Sequence, residues 1–203
     1  MITGDKISKV VKYRAVAVPG PLPPISIVKE INISRNRLRV FGLIGQKNGE
    51  GYGNISTKVE DSRDIIITCS QTGGLETLSQ KHCARVINYD LAGYYVVHTN
   101  FENSFMPSSE FFSHQAVYEA RRETAAVIHV HHEELWHKLI NIFPTTSPHA
   151  TYGSQELAHD IMKVASKNKN YNLIVLGGHQ SGILSFAKSL EEATEEIIRH
   201  LRQ

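Results

Sequence analysis

The 203-residue sequence lacks the features that define several large classes of protein. It has only two cysteines, Cys69 and Cys83, which are too few for a disulfide framework or a cysteine-based metal site. No apolar run approaches membrane-spanning length, and residues 1–18 lack the charged-then-apolar order of a signal peptide. Lys and Arg are scattered among Asp and Glu, so no basic stripe indicates nucleic-acid binding. These absences favour a cytoplasmic protein that binds neither nucleic acid nor membranes.

Proline is concentrated in one short segment. VPGPLPP, residues 18–24, contains four of the seven prolines in the sequence. Proline fixes φ and removes a backbone donor, so this segment favours neither helix nor central strand and is predicted to be extended. We therefore predict an N-terminal arm over residues 1–24, followed by a single domain over residues 25–203.

Helical and strand-like patterns alternate after the arm. Helical spacing of apolar residues predicts helices over residues 27–41, 111–122, 153–167 and 189–201. Apolar and β-branched runs predict strands over residues 54–59, 64–69, 91–99, 125–131, 172–178 and 182–187. Ser189 and Glu192 have the spacing of a capping box at the start of the last helix. Interleaved helices and strands indicate an α/β or α+β class.

The segment AVIHVHHEELWH, residues 126–137, holds four histidines. In a helix, His132 and His137 would diverge by about 140°, which excludes the H-E-x-x-H arrangement of zinc proteases. The β-branched residues Val127 and Ile128 favour a strand, in which alternate side chains point to the same face. His129 and His131 would then lie side by side as possible metal ligands, although a bare H-x-H pair is more often ordinary surface or cleft polarity.

A third histidine decides between these interpretations. His179, in GGHQSG, follows an apolar strand at a place where strand ends deliver side chains to a site. Three histidines with open coordination positions form a catalytic rather than a structural zinc pattern. The histidines for which we find no partner are predicted to face solvent: His132, His137, His149, His159 and His200.

Two kinds of segment could bind an anion. PSSE, residues 107–110, begins a helix, where Ser108 or Ser109 could simply cap the helix and Glu110 favour its dipole. The same free amides and hydroxyls could bind phosphate, and Glu110 could serve as an acid or base. GEGYGNIST and CSQTGG are turns by themselves but could complete an anion cradle. A Walker-type loop is excluded, because the sequence has no G-x-x-x-x-G-K-[ST].

Taken in order, these motifs form a specific pattern. GYGNIS, ITCSQTGG, PSSE, AVIHVH and ATYGSQELA, followed by a strand-end histidine, resemble the class II aldolase/adducin family from about Ile27 to Leu201. The family includes fuculose-phosphate and rhamnulose-phosphate aldolases and ribulose-phosphate 4-epimerase. The chain departs from the sugar-phosphate aldolases in a longer loop after ITC and a shorter region between His131 and Tyr152, which lacks the segment that carries one of their catalytic tyrosines.

The resemblance implies a fold and a site. The implied fold is a three-layer α/β/α sandwich around a mostly antiparallel sheet, commonly assembled into homotetramers. Glu110 matches the family's acid/base glutamate. The implied ligands of Zn²⁺, or of another divalent transition metal, are His129, His131 and His179. The implied substrate-phosphate contacts are Asn54, Thr72, Gly73, Ser108 and Ser109.

The resemblance also implies an activity. It points to a metal-dependent lyase that acts on a small hydroxy-carbonyl compound or sugar phosphate through a zinc-stabilised enediolate. Epimerases and dehydratases of the same superfamily share that step, and residue spacing does not separate them. Hydrolysis by zinc-bound hydroxide is a more distant alternative. The alternative from another class is a non-enzymatic scaffold like adducin, which would have no need of three histidines and a glutamate at these positions.

Overall fold

The computed structural model describes residues 11–99 and 105–202. Its strands are β1 (Arg14–Ala17), β2 (Gly45–Lys47), β3 (Glu50–Tyr52), β4 (Asn54–Lys58), β5 (Ile65–Thr68), β6 (Cys83–Asp90), β7 (Tyr95–Thr99), β8 (Ala126–His131), β9 (Leu173–Val175) and β10 (Gly182–Ala187). Its α-helices are α1 (Ile25–Val40), α2 (Phe111–Ala120), α3 (Glu133–Leu139), α4 (Gln155–Lys167) and α5 (Leu190–Leu201).

Eight of these strands form one sheet in the order β1-β7-β6-β5-β4-β8-β10-β9, and β2 and β3 form a separate hairpin. Every neighbouring pair in the large sheet is antiparallel except β1 and β7. Strand β8 lies between β4 and β10, so its backbone is paired with a neighbouring strand on both sides. The prediction of a mostly antiparallel central sheet is confirmed.

Apolar side chains of the sheet pack against helices on both faces. Strand β8 shows the alternation, because Val127 belongs to one core and Ile128 and Val130 belong to the other. The first core includes buried residues of α2 and α4, and the second includes buried residues of α1 and α5. These two cores make the predicted three-layer α/β/α sandwich. No helix in the part of the chain described has the length and hydropathy to span a membrane.

The predicted arm differs from the structure over residues 11–17. Val11, Tyr13 and Ala15 are buried in the first core, and Arg14–Ala17 forms β1, which pairs in parallel with β7. The Tyr13 hydroxyl donates a hydrogen bond to the Ser108 carbonyl at 2.8 Å, which ties this segment to the start of α2. These residues therefore pack with the domain that we predicted to begin at residue 25. Residues 1–10 of the predicted arm lie outside the described residues.

Two predictions of local structure need correction. The Ser189 hydroxyl accepts from the Glu192 amide at 3.1 Å, but the Glu192 carboxylate accepts from the Lys188 amide rather than from Ser189, so the predicted capping box is only half formed. His200 does not face solvent. Its ring is buried, and its centroid lies 4.9 Å from that of Phe143.

Candidate metal centre and active-site cleft

Three histidines from two parts of the chain meet at one end of the sheet. His129 and His131 project from the same face of β8, and His179 lies in the turn between β9 and β10. One ring nitrogen from each lies within 4.8 Å of the others, and the ring centroids are 4.7 to 5.0 Å apart. The structure thus brings together the three predicted metal ligands, although their role as ligands stays a prediction.

The chemistry of this cluster fits a divalent metal. Within the described residues, His129 Nε2 and His179 Nδ1 are buried and have no hydrogen-bond partner. Buried polar atoms are rarely left unpaired in proteins, and a nitrogen held for a metal accounts for such an exception. Burial lowers the pKa of His131 to about 3 and that of His179 to about 4, and it also lowers the pKa of His129. All three rings are therefore neutral at pH 7, which is the form that binds metals.

Two glycines position His179. A side chain at Gly177 would overlap the Thr146 carbonyl oxygen, and one at Gly178 would overlap the Ala150 carbonyl oxygen. Only glycine permits backbones to approach so closely. The turn after β9 can therefore lie against residues 146–150 and present the His179 ring to β8.

The histidines line a cleft of about 940 Å³. Its wall also includes the residues at the start of α2, the β2–β3 hairpin with Asn54 after it, and the loop at residues 69–73. Every predicted substrate-contact residue lines this cleft: Asn54, Thr72, Gly73, Ser108 and Ser109. The volume suits a small organic substrate.

Glu110 lies at the N-terminus of α2 and is only 2% exposed. The Ser113 hydroxyl donates to its Oε2 at 2.6 Å, and its Oε1 has no hydrogen-bond partner among the described residues. Burial raises the Glu110 pKa to about 7. A carboxyl group in this state can both hold and release a proton near neutral pH, as an acid/base residue must.

The two predicted serines have different surroundings. The buried Ser108 hydroxyl accepts from the Glu110 amide at 3.2 Å. The N-cap residue itself is Glu110, so neither serine takes the N-cap position that one of the two interpretations gave it. Ser109 is half-buried, and its hydroxyl accepts from the Tyr152 hydroxyl at 2.7 Å. Ser109 is therefore the more accessible of the two from the cleft.

The loop that contains Thr72 and Gly73 is held from behind by a residue that the sequence analysis missed. Arg35 is buried in α1, and its guanidinium donates to the carbonyls of Thr72 at 3.0 Å and Gly73 at 2.7 Å. It also donates to the carbonyls of Leu75 and Glu76. The Thr72 hydroxyl donates to the Cys69 carbonyl at 2.7 Å and closes the turn.

Tyr152 and Lys12, which are far apart in the sequence, also line the cleft. The Tyr152 ring centroid lies 5.1 Å from that of His179, and the Lys12 ammonium lies 4.8 Å from the centre of the Tyr152 ring. Lys12 was missed because it belongs to the predicted arm. The alternation of apolar residues at Val11, Tyr13 and Ala15 was the available signal for a strand there.

Residues 46–137 match the model of the family described as Class II Aldolase and Adducin N-terminal domain. This match covers a little under half of the chain and supports the predicted resemblance to the class II aldolase/adducin family. The match includes the glycine-rich loop, the PSSE segment and both histidines of β8, while His179 lies beyond it. Comparison with curated proteins gave no significant match.

Solved structures of this family share the fold at low sequence identity. An L-fuculose 1-phosphate aldolase is 22% identical with a TM-score of 0.65, over 89% of this chain and 85% of that chain. A sugar-phosphate aldolase from Thermotoga maritima is 17% identical with a TM-score of 0.61, over 87% and 94%. The N-terminal class II aldolase domain of a conserved protein from Thermoplasma acidophilum is 18% identical with a TM-score of 0.58, over 91% and 94%.

Proposed function

We propose that the protein is a metal-dependent lyase of the class II aldolase type that acts on a small hydroxy-carbonyl compound or sugar phosphate. The observation that carries the proposal is the cluster of His129, His131 and His179, with two buried unpaired nitrogens, in the same cleft as the buried acid Glu110. By family resemblance we also propose zinc as the metal, a homotetramer as the assembly and the cytoplasm as the location.

The three histidines, Glu110 and the walls of the cleft have separate tasks in the proposed reaction. A divalent metal bound by His129, His131 and His179 would act as a Lewis acid and stabilise negative charge on substrate oxygens. Glu110 moves the proton, because its raised pKa lets the carboxylate accept one and the carboxylic acid return it near neutral pH. The walls of the cleft orient the substrate and limit the access of water.

Another part of the cleft wall offers donors for an anionic group on the substrate. The Ser109 hydroxyl and the loop at Thr72 and Gly73 face the same cleft as the histidines. Arg35 binds the carbonyl side of that loop, so the loop keeps a fixed shape. Hydroxyls and backbone amides near a helix N-terminus suit a phosphate, which supports a phosphorylated substrate.

The metal content of the protein tests the proposal first. We expect about one zinc per chain after incubation with zinc and dialysis, since three neutral imidazoles converge on one point. His179→Ala should bind much less zinc, whereas the matched variant His159→Ala, at an exposed position of α4, should keep the wild-type content. Elemental analysis of untagged protein gives the ratio. Equal zinc in the His179→Ala variant would contradict the proposed ligand set.

The zinc-loaded protein should then be tested with a panel of hydroxy-carbonyl compounds and sugar phosphates. Formation of two carbonyl-containing fragments by the wild type and His159→Ala, but not by His179→Ala, would support a lyase. A rearranged product of unchanged mass would instead favour an epimerase, and loss of water a dehydratase. Absence of both bound metal and turnover would overturn the enzyme proposal and favour the scaffold.

A further inference from the structure

A chain of buried hydrogen bonds leads from the histidine cluster into the core. His129 Nδ1 lies 3.3 Å from Asn54 Nδ2, and Asn54 Oδ1 lies 2.6 Å from His114 Nε2. His114 Nδ1 lies 2.7 Å from the Ser56 hydroxyl, which lies 2.8 Å from the Tyr118 hydroxyl. His114 and Tyr118 are one turn apart on α2, so both reach β4 from the same helix face. Except for the half-buried Asn54, all members are buried.

The number of available protons allows this series of hydrogen bonds two complete arrangements of donors and acceptors. Burial lowers the pKa of His114 to about 3, so its ring is neutral and carries one N–H. In the first arrangement the Tyr118 hydroxyl donates to Ser56, Ser56 donates to His114 Nδ1, and His114 Nε2–H donates to Asn54 Oδ1. Asn54 Nδ2 then donates to His129 Nδ1. The single proton of the His129 ring must therefore be on Nε2, which cannot bind a metal in that form.

The second arrangement reverses every donor. A half-turn of the Asn54 carboxamide exchanges its oxygen and nitrogen, so that its oxygen accepts from His129 Nδ1–H and its nitrogen donates to His114 Nε2. His114 Nδ1–H then donates to Ser56, and Ser56 donates to the Tyr118 hydroxyl. Tyr118 donates in turn to the Ala125 carbonyl, 3.5 Å away. This arrangement leaves the lone pair of His129 Nε2 available.

We propose that Asn54 and His114 are positioning residues for the metal centre. In the zinc-loaded protein, every hydrogen bond from His129 to Tyr118 then has the direction of the second arrangement. The inference rests on the proposed function, because it assumes that His129 is a ligand. It gives the Asn54 side chain a role toward the metal ligand in addition to the predicted contact with substrate phosphate, since both of its polar atoms contact imidazole rings. Outer partners of this kind orient a histidine ligand and fix its tautomer.

The tautomer of His114 in the wild-type protein gives the most direct test. Nitrogen NMR of protein with ¹⁵N-labelled histidines, loaded with zinc, should show the proton on Nδ1 of both His114 and His129. A His114 proton on Nε2 in the zinc-loaded protein would overturn the inference. This measurement is made on the wild-type protein, so its result does not depend on whether a variant at position 114 folds.

Zinc affinity provides the second test, by competition with a chromophoric chelator. His114→Phe removes the partner of Asn54 and should weaken zinc binding by about 10-fold to 100-fold, which is the usual effect of losing an outer partner. His114→Gln keeps an amide that can face Asn54 as donor or acceptor, so it should restore most of the affinity. The matched control is His98→Phe, because His98 is also buried but does not line the cleft.

The outcomes separate this inference from the proposed function. A folded His114→Phe protein with wild-type zinc affinity would overturn the positioning role and leave the three-histidine site intact. A wild-type protein without zinc affinity would overturn the proposed function, and this inference with it. Equal losses in His114→Phe and His98→Phe would mean that zinc affinity follows general stability, which would also overturn the specific role of His114.

Discussion

Replacing Glu110 by glutamine should lower turnover by roughly 100-fold to 10,000-fold while zinc stays bound, the range expected for loss of a general acid/base. Glutamine has nearly the same shape as glutamate but cannot accept or release the proton. Glu110 is not one of the three clustered histidines that we propose as metal ligands, so the metal content should remain at the wild-type level. Turnover measured together with zinc content separates these two effects. Glu134→Gln, at an exposed position in α3, is the matched control.

Unchanged turnover in the Glu110→Gln protein would remove Glu110 from the reaction. Lost zinc in that protein would instead mean that the carboxylate helps to hold the metal. Because metal content is measured without substrate, it shows whether a loss of turnover follows from a loss of zinc.

The same substitution should change how stability depends on pH in the metal-free protein. Burial raises the Glu110 pKa from 4.5 to about 7, so the folded state binds more protons than the unfolded state between these values. The contribution of Glu110 to the free energy of unfolding therefore falls as pH rises through this window. Glu110→Gln removes that loss, so its stability relative to wild type should be greater at pH 8 than at pH 5 by roughly 2 to 3 kcal/mol.

Urea unfolding in the presence of a chelator measures this difference. The buried histidines act in the opposite direction, because their lowered pKa values destabilise the folded state as pH falls below the ordinary histidine value. Wild type and variant must therefore be compared at each pH, where the histidine contribution cancels. A difference that does not vary between pH 5 and pH 8 would show that Glu110 titrates near its ordinary pKa.

Replacing Arg35 by methionine should have the largest effect on stability. Its guanidinium donates to four loop carbonyls, those of Thr72, Gly73, Leu75 and Glu76, and it is 2% exposed. Methionine fills a similar volume but leaves those acceptors without their donor. Hydrogen bonds to a charged group are individually strong, and unpaired buried acceptors cost more still, so we expect a loss of about 3 to 5 kcal/mol.

The control for Arg35 lies on the same helix. Arg37 is far more exposed, and its ion pair within the described residues is with the exposed Glu195, so Arg37→Met should cost about 1 kcal/mol or less. Urea unfolding of both variants at one pH gives the comparison. Similar losses for the two substitutions would mean that the loop does not depend on the buried guanidinium.

The sequence predicted the centre of the fold better than its margins. Val127, Ile128 and Val130 make β8 recognisable, because β-branched residues on both sides of a strand are typical of a sheet buried on both faces. Strand β6 was missed, because its second half mixes polar residues with the exposed Ile87. Strand β1 was missed because the proline segment that follows it was taken as the end of an arm, which placed the predicted start of the domain at residue 25.

The site could be predicted where a motif is local or where the order of motifs resembles a known family. His129 and His131 are two residues apart, so their shared face follows from strand geometry alone. The contacts of Arg35 with the loop at Thr72 and of His114 with Asn54 join residues far apart in the sequence, and no local pattern indicates them. An arginine at helical spacing among the buried residues of α1 was the one available sign that a charge is buried there.

The pairing of the strands also determines when the protein can complete its folding. The first strand, β1, pairs with β7, so it must wait for a long stretch of chain to be synthesised. Strand β8 lies between β4, which precedes it by many residues, and β10, which ends shortly before the last helix. Such non-local pairings form late and slowly. His179 follows the two histidines of β8 by a long stretch of sequence, so a nascent chain has two of these histidines well before it has the third.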